Sequence, residues 1–228
     1  MKRGKKYLAA AQSYDRQSLY PIEEAIALVR KNTYCKFDAS FEVNFSLNVD
    51  PRHADQQIRG AMVLPNGTGK SPKVLVVTQG AKEQEAKDAG ADFVGGKDIL
   101  EEIKGGWFGF DTIIATPDMM GELGKLGRLL GPKGLMPNPK AGTVTMDVEK
   151  AVKEAKAGKV EYRVDKQAIV HIGLGKISFG NEKLLENAQA FFESLKSQKP
   201  ASLKGSYVKS VFLTTTMGPS IEIENLYN

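Results

Sequence analysis

The run Val74-Leu75-Val76-Val77 contains no polar residue, and this stretch decides the fold class of the chain. An apolar run without alternation is typical of a strand covered on both faces, as in a parallel sheet. Helical segments near 81–89 and 97–105 alternate with short strands near 92–94 and 111–116. This βαβα order predicts a doubly wound, Rossmann-like α/β domain in the middle of the chain.

The strands on either side of this domain have a different pattern, because their apolar and polar residues alternate. Residues 41–49 alternate strictly, with five apolar residues on one side, which predicts a half-buried strand. Alternation returns at 160–164 and 168–172. A long helix over 181–197 and a last strand over 208–216 follow. Strands and helices of this kind predict an α+β domain.

We expect one domain to be inserted into the other. Residues 1–66 and 159–228 form a split α+β, sandwich-like domain, and residues 67–158 form the inserted α/β domain. The two segments of the split domain together carry 19 basic and 14 acidic residues, whereas the insert carries 13 of each. The net charge of +5 therefore resides on the split domain, which permits an acidic partner such as nucleic acid.

The composition excludes several classes of protein. Of the 228 residues, 41% are hydrophobic and 26% are charged, as in a soluble globular protein. The single cysteine, Cys35, excludes an internal disulfide and a multi-cysteine zinc site, and it is typical of a reducing cytoplasm. The basic arm at 1–6 precedes too short an apolar run for a signal peptide, and no run is long enough for a membrane span, so we expect no membrane partner.

The sequence shows no convincing catalytic constellation. Residues 67–71 imitate the end of a phosphate-binding loop, but Leu64 occupies the position of the first glycine, and Pro72 and a strand follow. His53 and His171 belong to no metal-ligand pattern, and we expect His171 to pack in the core or at a sheet edge. We therefore expect no enzyme, no cofactor and no small-molecule substrate. A nucleotide-dependent enzyme and a protein-interaction scaffold are the alternatives.

Two stretches carry residue types that suit RNA. Residues 214–220 offer three threonine hydroxyls, the polarizable Met217 and a glycine that a ligand can approach closely. Hydroxyls can meet 2′-OH groups, and a thioether can lie flat on a base. Residues 36–42 place a cation, an aromatic ring and a hydroxyl between a helix and a strand. The alternative interpretations are a simple Gly-Pro turn in the first stretch and a core position for Phe37 in the second.

A third stretch, residues 131–142, is too rich in glycine and proline for regular structure. A loop of this kind inside a compact domain is more often functional than incidental. The surrounding residues 119–146 carry four basic residues and one acidic residue. They form a local positive patch, because residues 82–118 of the same domain carry four basic and nine acidic residues.

Four motifs resemble those of the universal ribosomal proteins of the large-subunit mobile stalk, the L-one family, in its bacterial type. In chain order they are Asp50–Gly60, Ala89–Gly96, Gly127–Val144 and Thr214–Pro219. The third, which includes Gly-Pro-Lys-Gly-Leu-Met-Pro-Asn-Pro-Lys at 131–140, is the most specific of them. The likeness covers essentially the whole chain.

The resemblance implies a two-domain structural constituent of the large ribosomal subunit, with no catalysis, in the cytoplasm. Proteins of this family bind a helical junction of large-subunit rRNA at the stalk beside the exit site, mainly through the split domain. They assist the release of deacylated exit-site tRNA, and bacterial members repress translation of their own operon mRNA. The partners implied are therefore the ribosome, its rRNA, exit-site tRNA and that message.

The resemblance also implies which residues read RNA. The family's positions fall on Lys36, Phe37, Ser40, Glu42, Thr216, Met217 and Gly218, and Lys166 joins them through a phosphate. Glu42 is expected to be buried, where its carboxylate accepts from a ribose hydroxyl or a base amine. In the insert, Arg128, Lys133 and Lys140 are the expected secondary phosphate contacts.

The sequence departs from the family pattern near residues 165–173. The glycine that is usual after the Asp165-Lys166 pair is missing, and Gly173 stands where proline is common. These departures weaken the expectation that the loop at 165–168 contacts RNA, but they leave residues 214–218 untouched.

Overall fold

A computed structural model describes residues 3–80 and 82–224. The chain divides into two compact units. The split unit contains Met1–Gly69 and Tyr162–Asn228, and the inserted unit contains Lys70–Glu161. The boundaries expected from the sequence, after residues 66 and 158, lie three residues before those of the structure.

Among the residues that the structure describes, the split unit carries three α-helices and the strands of an antiparallel sheet. Its elements in chain order are α1 (Lys5–Ala11), α2 (Ile22–Lys31), β1 (Ser40–Leu47), β2 (Arg59–Val63), β7 (Ile169–Lys176), α8 (Asn181–Ser197), β8 (Val208–Thr215) and β9 (Ile221–Ile223).

The inserted unit alternates strands and helices. Its elements are β3 (Val74–Val77), α3 (Lys82–Asp88), β4 (Phe93–Gly95), α4 (Lys97–Lys104), β5 (Thr112–Ala115), α5 (Met120–Lys125), α6 (Gly127–Leu130) and α7 (Val148–Lys156). Strand β6 (Lys159–Arg163) spans the second chain crossing and pairs with β2.

The split unit is built on a four-stranded sheet of order β7-β1-β8-β9, whose neighbouring strands are antiparallel. The alternation predicted for β1 is confirmed, because its apolar side chains, Phe41, Val43, Phe45 and Leu47, are all buried. Helix α2 contacts β8 and β9, and α8 contacts β7. The ring centroid of Phe45 lies 5.5 Å from that of Phe191 and 5.1 Å from that of Phe192, both in α8. Burial of such side chains stabilises the unit by about 1.5–3 kcal/mol each.

The other face of this sheet carries mostly polar side chains, and in β1 these side chains are half-buried. Glu42, Asn44 and Ser46 alternate with the buried residues of β1 and are half-buried. Glu42 lies between Gly173 of β7 and Thr214 of β8, and Asn44 lies between His171 and Phe212. We call this surface the open face.

The inserted unit has a parallel sheet of order β4-β3-β5, as its apolar central strand predicts. All four residues of β3 are buried. Leu75 and Val77 pack against α4, α5 and α6, whereas Val74 and Val76 pack against α3 and α7. The continuous apolar run is therefore explained by helices on both faces of the strand.

Three elements differ from the sequence-based expectation. The basic arm is helical from Lys5 onward, whereas residues 1–2 lie outside the described residues. In the sequence, the proline at 117 predicts the start of a further helix, but residues 117–119 form only a single 3-10 turn, followed by two short helices that are separated near Gly127. Strand β9 was not expected. Within residues 3–80 and 82–224, no helix is both long and apolar enough to cross a bilayer.

The first chain crossing is fixed by Asn187, a fully buried residue of α8. Its Oδ1 accepts from the Asn66 amide at 3.0 Å, and its Nδ2 donates to the carbonyls of Gly67 at 3.0 Å and Leu174 at 2.7 Å. The segment after Leu64, which includes residues 67–71, is therefore a hydrogen-bonded turn that leads into strand β3, and not a phosphate-binding loop that leads into a helix.

We expect Asn187→Leu to lower the free energy of unfolding of the split unit by about 3 kcal/mol, since the three hydrogen bonds of this buried side chain are lost at about 1 kcal/mol each. Urea denaturation of the full chain, followed by circular dichroism, measures this change. The control is Gln189→Leu, an exposed position of the same helix, which should change stability by no more than about 0.5 kcal/mol. Equal effects of the two substitutions would contradict the role given to Asn187.

Candidate nucleic-acid interface

Two distant segments of the chain meet at one end of the four-stranded sheet. Thr216 donates its backbone N–H to the carbonyl of Ser40 at 3.1 Å, and its hydroxyl accepts from the Ser40 amide at 3.0 Å. The Cys35 thiol donates to the carbonyl of Thr216 at 3.2 Å, and the Tyr34 hydroxyl donates to that of Met217 at 2.5 Å. Residues 34–42 and 214–218 therefore form one surface, which we call the joint surface.

Two large apolar side chains of the joint surface point into solvent. The residue Met217 is 66% exposed and Phe37 is 54% exposed, so the core position considered for Phe37 is wrong. Neither side chain contributes much to the free energy of unfolding, because an apolar side chain stabilises the fold only when it is buried. Exposed apolar side chains that lie close together mark interaction sites more often than single ones do.

The turn after β8 holds Met217 in an uncommon backbone conformation. Its φ is +66°, in the left-handed region that non-glycine residues rarely occupy. The Gly218 amide donates to the carbonyl of Thr215 at 2.8 Å, which closes the turn. A Cβ on Gly218 would collide with the hydroxyl of Thr215, a residue that is only 3% exposed, so glycine is required there.

The polar groups of the joint surface are held by further hydrogen bonds. The Lys176 ammonium donates to the Ser40 hydroxyl at 3.1 Å and to the carbonyl of Asp38 at 3.2 Å. Lys36 is exposed beside Phe37. The sequence reasoning missed Lys176 and Tyr34. The position of Lys176 follows only from the register that pairs it with Ser40 across β1 and β7.

Glu42 is half-buried, so the expectation that it is buried is wrong. It lies on the open face, directly beside Gly173 in the β1–β7 pairing. A Cβ at Gly173 would meet no described atom within 4 Å, so there is open space beside Glu42. One of the two sequence departures thus lies next to a candidate site residue and leaves its carboxylate accessible.

Lys166 is exposed in the loop at the other end of β7. The strand pairs Lys176 with Ser40 and Ile169 with Ser46, so the loop is about six residues, or roughly 20 Å, from the joint surface. The structure therefore does not bring Lys166 together with the other candidate residues of the split unit. An RNA that contacts both would have to extend along the whole sheet.

The loop that carries Lys166 is organised by Asp165. Its Oδ1 accepts from the amides of Gln167 at 2.9 Å and Ile169 at 2.7 Å. Burial raises the pKa of Asp165, but these two donors and His171 lower it by more, so the pKa lies below its usual value. His171 is exposed on the edge strand, with Nε2 3.5 Å from Asp165 Oδ2 and Nδ1 2.6 Å from Asn44 Oδ1, so it does not pack in the core.

The three secondary candidates all belong to the inserted unit and are exposed. Arg128 lies in α6, and the Lys133 ammonium lies 4.2 Å above the centroid of the Phe108 ring. The Lys140 amide donates to Asn138 Oδ1 at 2.8 Å in a 3-10 turn that ends the Gly/Pro-rich loop. In the sequence they share the positive stretch of residues 119–146.

The joint surface offers groups that can contact a partner. Among the described residues, no group of three or more His, Cys, Asp or Glu side chains could hold a metal ion. Cys35 is used in a hydrogen bond to the backbone of the neighbouring segment. What the surface offers is two exposed apolar side chains, hydroxyls and the cation Lys36, fixed on a rigid sheet end.

Comparison with known proteins gives a consistent result. The model of the ribosomal protein L1p/L10e family matches residues 29–219. Large ribosomal subunit protein uL1 of Desulfotalea psychrophila (strain LSv54 / DSM 12343) is 56% identical over 226 residues. The matched part covers 99% of this chain and 96% of that relative.

We expect Met217→Gly to leave the free energy of unfolding unchanged or to raise it by up to about 1 kcal/mol, because glycine adopts a positive φ without strain and the lost side chain is largely in solvent. Thermal unfolding of the full chain measures this. Met217→Ala, which keeps the backbone strain, is the matched control and should unfold like the unsubstituted protein. A loss of more than about 1 kcal/mol in Met217→Gly would show that the side chain serves the fold.

Proposed function

Since the chain belongs to the ribosomal protein L1p/L10e family, we propose that its joint surface binds large-subunit ribosomal RNA. The family consists of structural ribosomal proteins and not of enzymes, and this chain is a constituent of the large ribosomal subunit. The RNA site, the contact with tRNA and the control of translation are the proposed parts of its function.

The observation that carries the proposal is the exposure of Phe37 and Met217 beside fixed hydroxyl groups. RNA is the partner that uses both features, because its unstacked bases and riboses offer flat apolar faces and its 2′-OH groups offer donors and acceptors. The Thr216 hydroxyl is already positioned by the Ser40 amide, and the Ser40 hydroxyl by the Lys176 ammonium. The surface therefore binds without having to be ordered first, which reduces the entropic cost of association.

The charged groups of the split unit support the same partner. Its two segments account for the whole net charge of the chain, and Lys36 lies exposed beside Phe37. Cations of this kind attract phosphates without reading sequence, so they position the RNA. Recognition then depends on shape and on ribose contacts at the joint surface.

Glu42 has a distinct role in this proposal. A carboxylate repels phosphates, but it accepts hydrogen bonds from a ribose hydroxyl or a base amine. Its position beside the open space at Gly173 leaves room for such a donor. Glu42 therefore favours RNA over DNA at this site and disfavours binding modes that place a phosphate there.

We also propose that exit-site tRNA and the protein's own operon mRNA are partners. The chain offers one joint surface, so an mRNA with the same local fold as the rRNA site competes for it. Free protein then represses the message only after the rRNA sites are filled. For tRNA, the proposal rests on the family and on the exposed cations Arg128, Lys133 and Lys140 of the inserted unit.

We expect Met217→Asp to weaken binding to large-subunit rRNA at least tenfold, or about 1.4 kcal/mol, since it removes an apolar contact and adds repulsion by phosphates. A filter-binding titration at fixed salt measures this. Met146→Asp is the matched control, because Met146 is also a strongly exposed methionine (55%) but lies in the inserted unit. Unchanged affinity of Met217→Asp, with its fold intact, would remove Met217 from the site.

Lys133→Ala should change the affinity for the shortest rRNA fragment that the protein protects by less than about twofold, because a single exposed phosphate contact contributes little. The same titration measures it. If this substitution abolished binding, the inserted unit would make the main contacts with RNA, and the assignment to the joint surface would be wrong.

A further inference from the structure

We propose that helix α1, together with Arg3 before it, is a second RNA-contacting element that extends the interface from the joint surface onto the phosphates of a neighbouring part of the same RNA. This inference rests on the proposed function. It concerns the basic arm, whose role neither the fold nor the joint surface explains.

The first argument is the charge and exposure of this segment. Arg3, Lys5 and Lys6 are all exposed, and residues 3–14 contain no aspartate or glutamate. The first acidic residue is Asp15. A surface with three cations and no anion in twelve residues is complementary to a phosphate backbone.

The second argument is that packing against the rest of the split unit stabilises α1 only weakly. None of its seven residues, Lys5–Ala11, is buried. Only a stripe of Tyr7, Ala10 and Ala11 is half-buried. The helix therefore has no fully buried face of the kind that normally stabilises a helix, and an isolated helix of this length is marginally stable in water. Contact with a partner would supply the missing stabilisation.

The third argument is where α1 is attached. Immediately after the helix, the Ser13 hydroxyl donates to Asn32 Oδ1 at 2.6 Å, and the Tyr14 hydroxyl donates to the carbonyl of Ser220 at 2.9 Å. Asn32 precedes the segment 34–42 by two residues, and Ser220 follows the segment 214–218 by two. The residues just after α1 are therefore hydrogen-bonded to residues that flank both segments of the joint surface.

These attachments limit how far the cations lie from the joint surface. A seven-residue helix is only about 10 Å long, so Lys5 and Lys6 lie within roughly one helix length of the Ser13 and Tyr14 anchors. The partners of these anchors, Asn32 and Ser220, are only two and three residues from Tyr34 and Met217, so an RNA that covers the joint surface also lies near the cations of α1. The exposed Leu8 (47%) is compatible with a protein or membrane partner as well, but the run of cations without acids favours RNA.

The test neutralises the three cations in the full-length protein, as Arg3→Gln, Lys5→Gln and Lys6→Gln together. The control is the triple variant Lys199→Gln, Lys204→Gln and Lys209→Gln, which changes the charge equally but near the start of β8, at the end of the sheet away from Thr215. Both variants and the unsubstituted protein are titrated with the large-subunit rRNA fragment that the protein protects, between 50 and 200 mM salt. Circular dichroism checks that the folds agree.

We expect the α1 variant to bind about tenfold more weakly at the lowest salt, and its plot of log affinity against log salt to be shallower by about two to three units. The control should differ from the unsubstituted protein by less than twofold. In a hydroxyl-radical footprint, the α1 variant should lose protection at one border of the site only.

Each other outcome has a definite meaning. If the unsubstituted protein does not bind the rRNA, the proposed function fails, and with it this inference. If it binds and the α1 variant binds equally well, or both triple variants weaken equally, α1 is not an RNA contact although the joint surface stands. Unchanged RNA binding with weaker binding to vesicles of anionic lipid would assign α1 to a membrane instead.

Discussion

The pairing of β1 with β8 is the interaction on which the rest of the structure depends. It joins residues 40–47 to residues 208–215, and it continues beyond β8 in the reciprocal bonds between Ser40 and Thr216. Without this pairing there is no four-stranded sheet to cover α2 and α8. There is also no joint surface, since each of its two segments carries only one of the two exposed apolar side chains. Core and interface are thus products of the same ladder of hydrogen bonds.

The alternation in β1 assigns two tasks to a single strand. Phe41 and its apolar neighbours form the core, whereas Glu42 and Asn44 belong to the open face. The segments next to the ends of the paired strands carry two exposed apolar side chains, and one of these residues has a positive φ. Backbone strain and exposed apolar area both cost stability, and they persist here because the surrounding hydrogen bonds fix the turn. Such a combination is typical of a surface kept for binding.

Much of the fold could be predicted from the sequence, because its main strands have clear patterns. The apolar run of β3 indicates that both faces of this strand are covered, and the alternation of β1 indicates that one face is. Strand β9 could not be predicted, since three residues, Ile221–Ile223, form a strand only because β8 is beside them. Neither could the role of Lys176, which depends on a register that shifts between Phe41 and Glu42. The expectation that Glu42 is buried is wrong because Glu42 occupies a polar position in the alternation of β1, on the side away from the core.

The split origin of the four-stranded sheet has a consequence for the timing of synthesis. Residues 34–42 leave the translating ribosome long before residues 214–218, and at 5–20 residues per second the delay is roughly 10 to 35 seconds. During that interval the inserted unit can fold, but β1 has no β8 to pair with. A growing chain therefore has no complete joint surface, because one of the two segments that form it has not yet been made. Only a released or nearly finished polypeptide can form this surface.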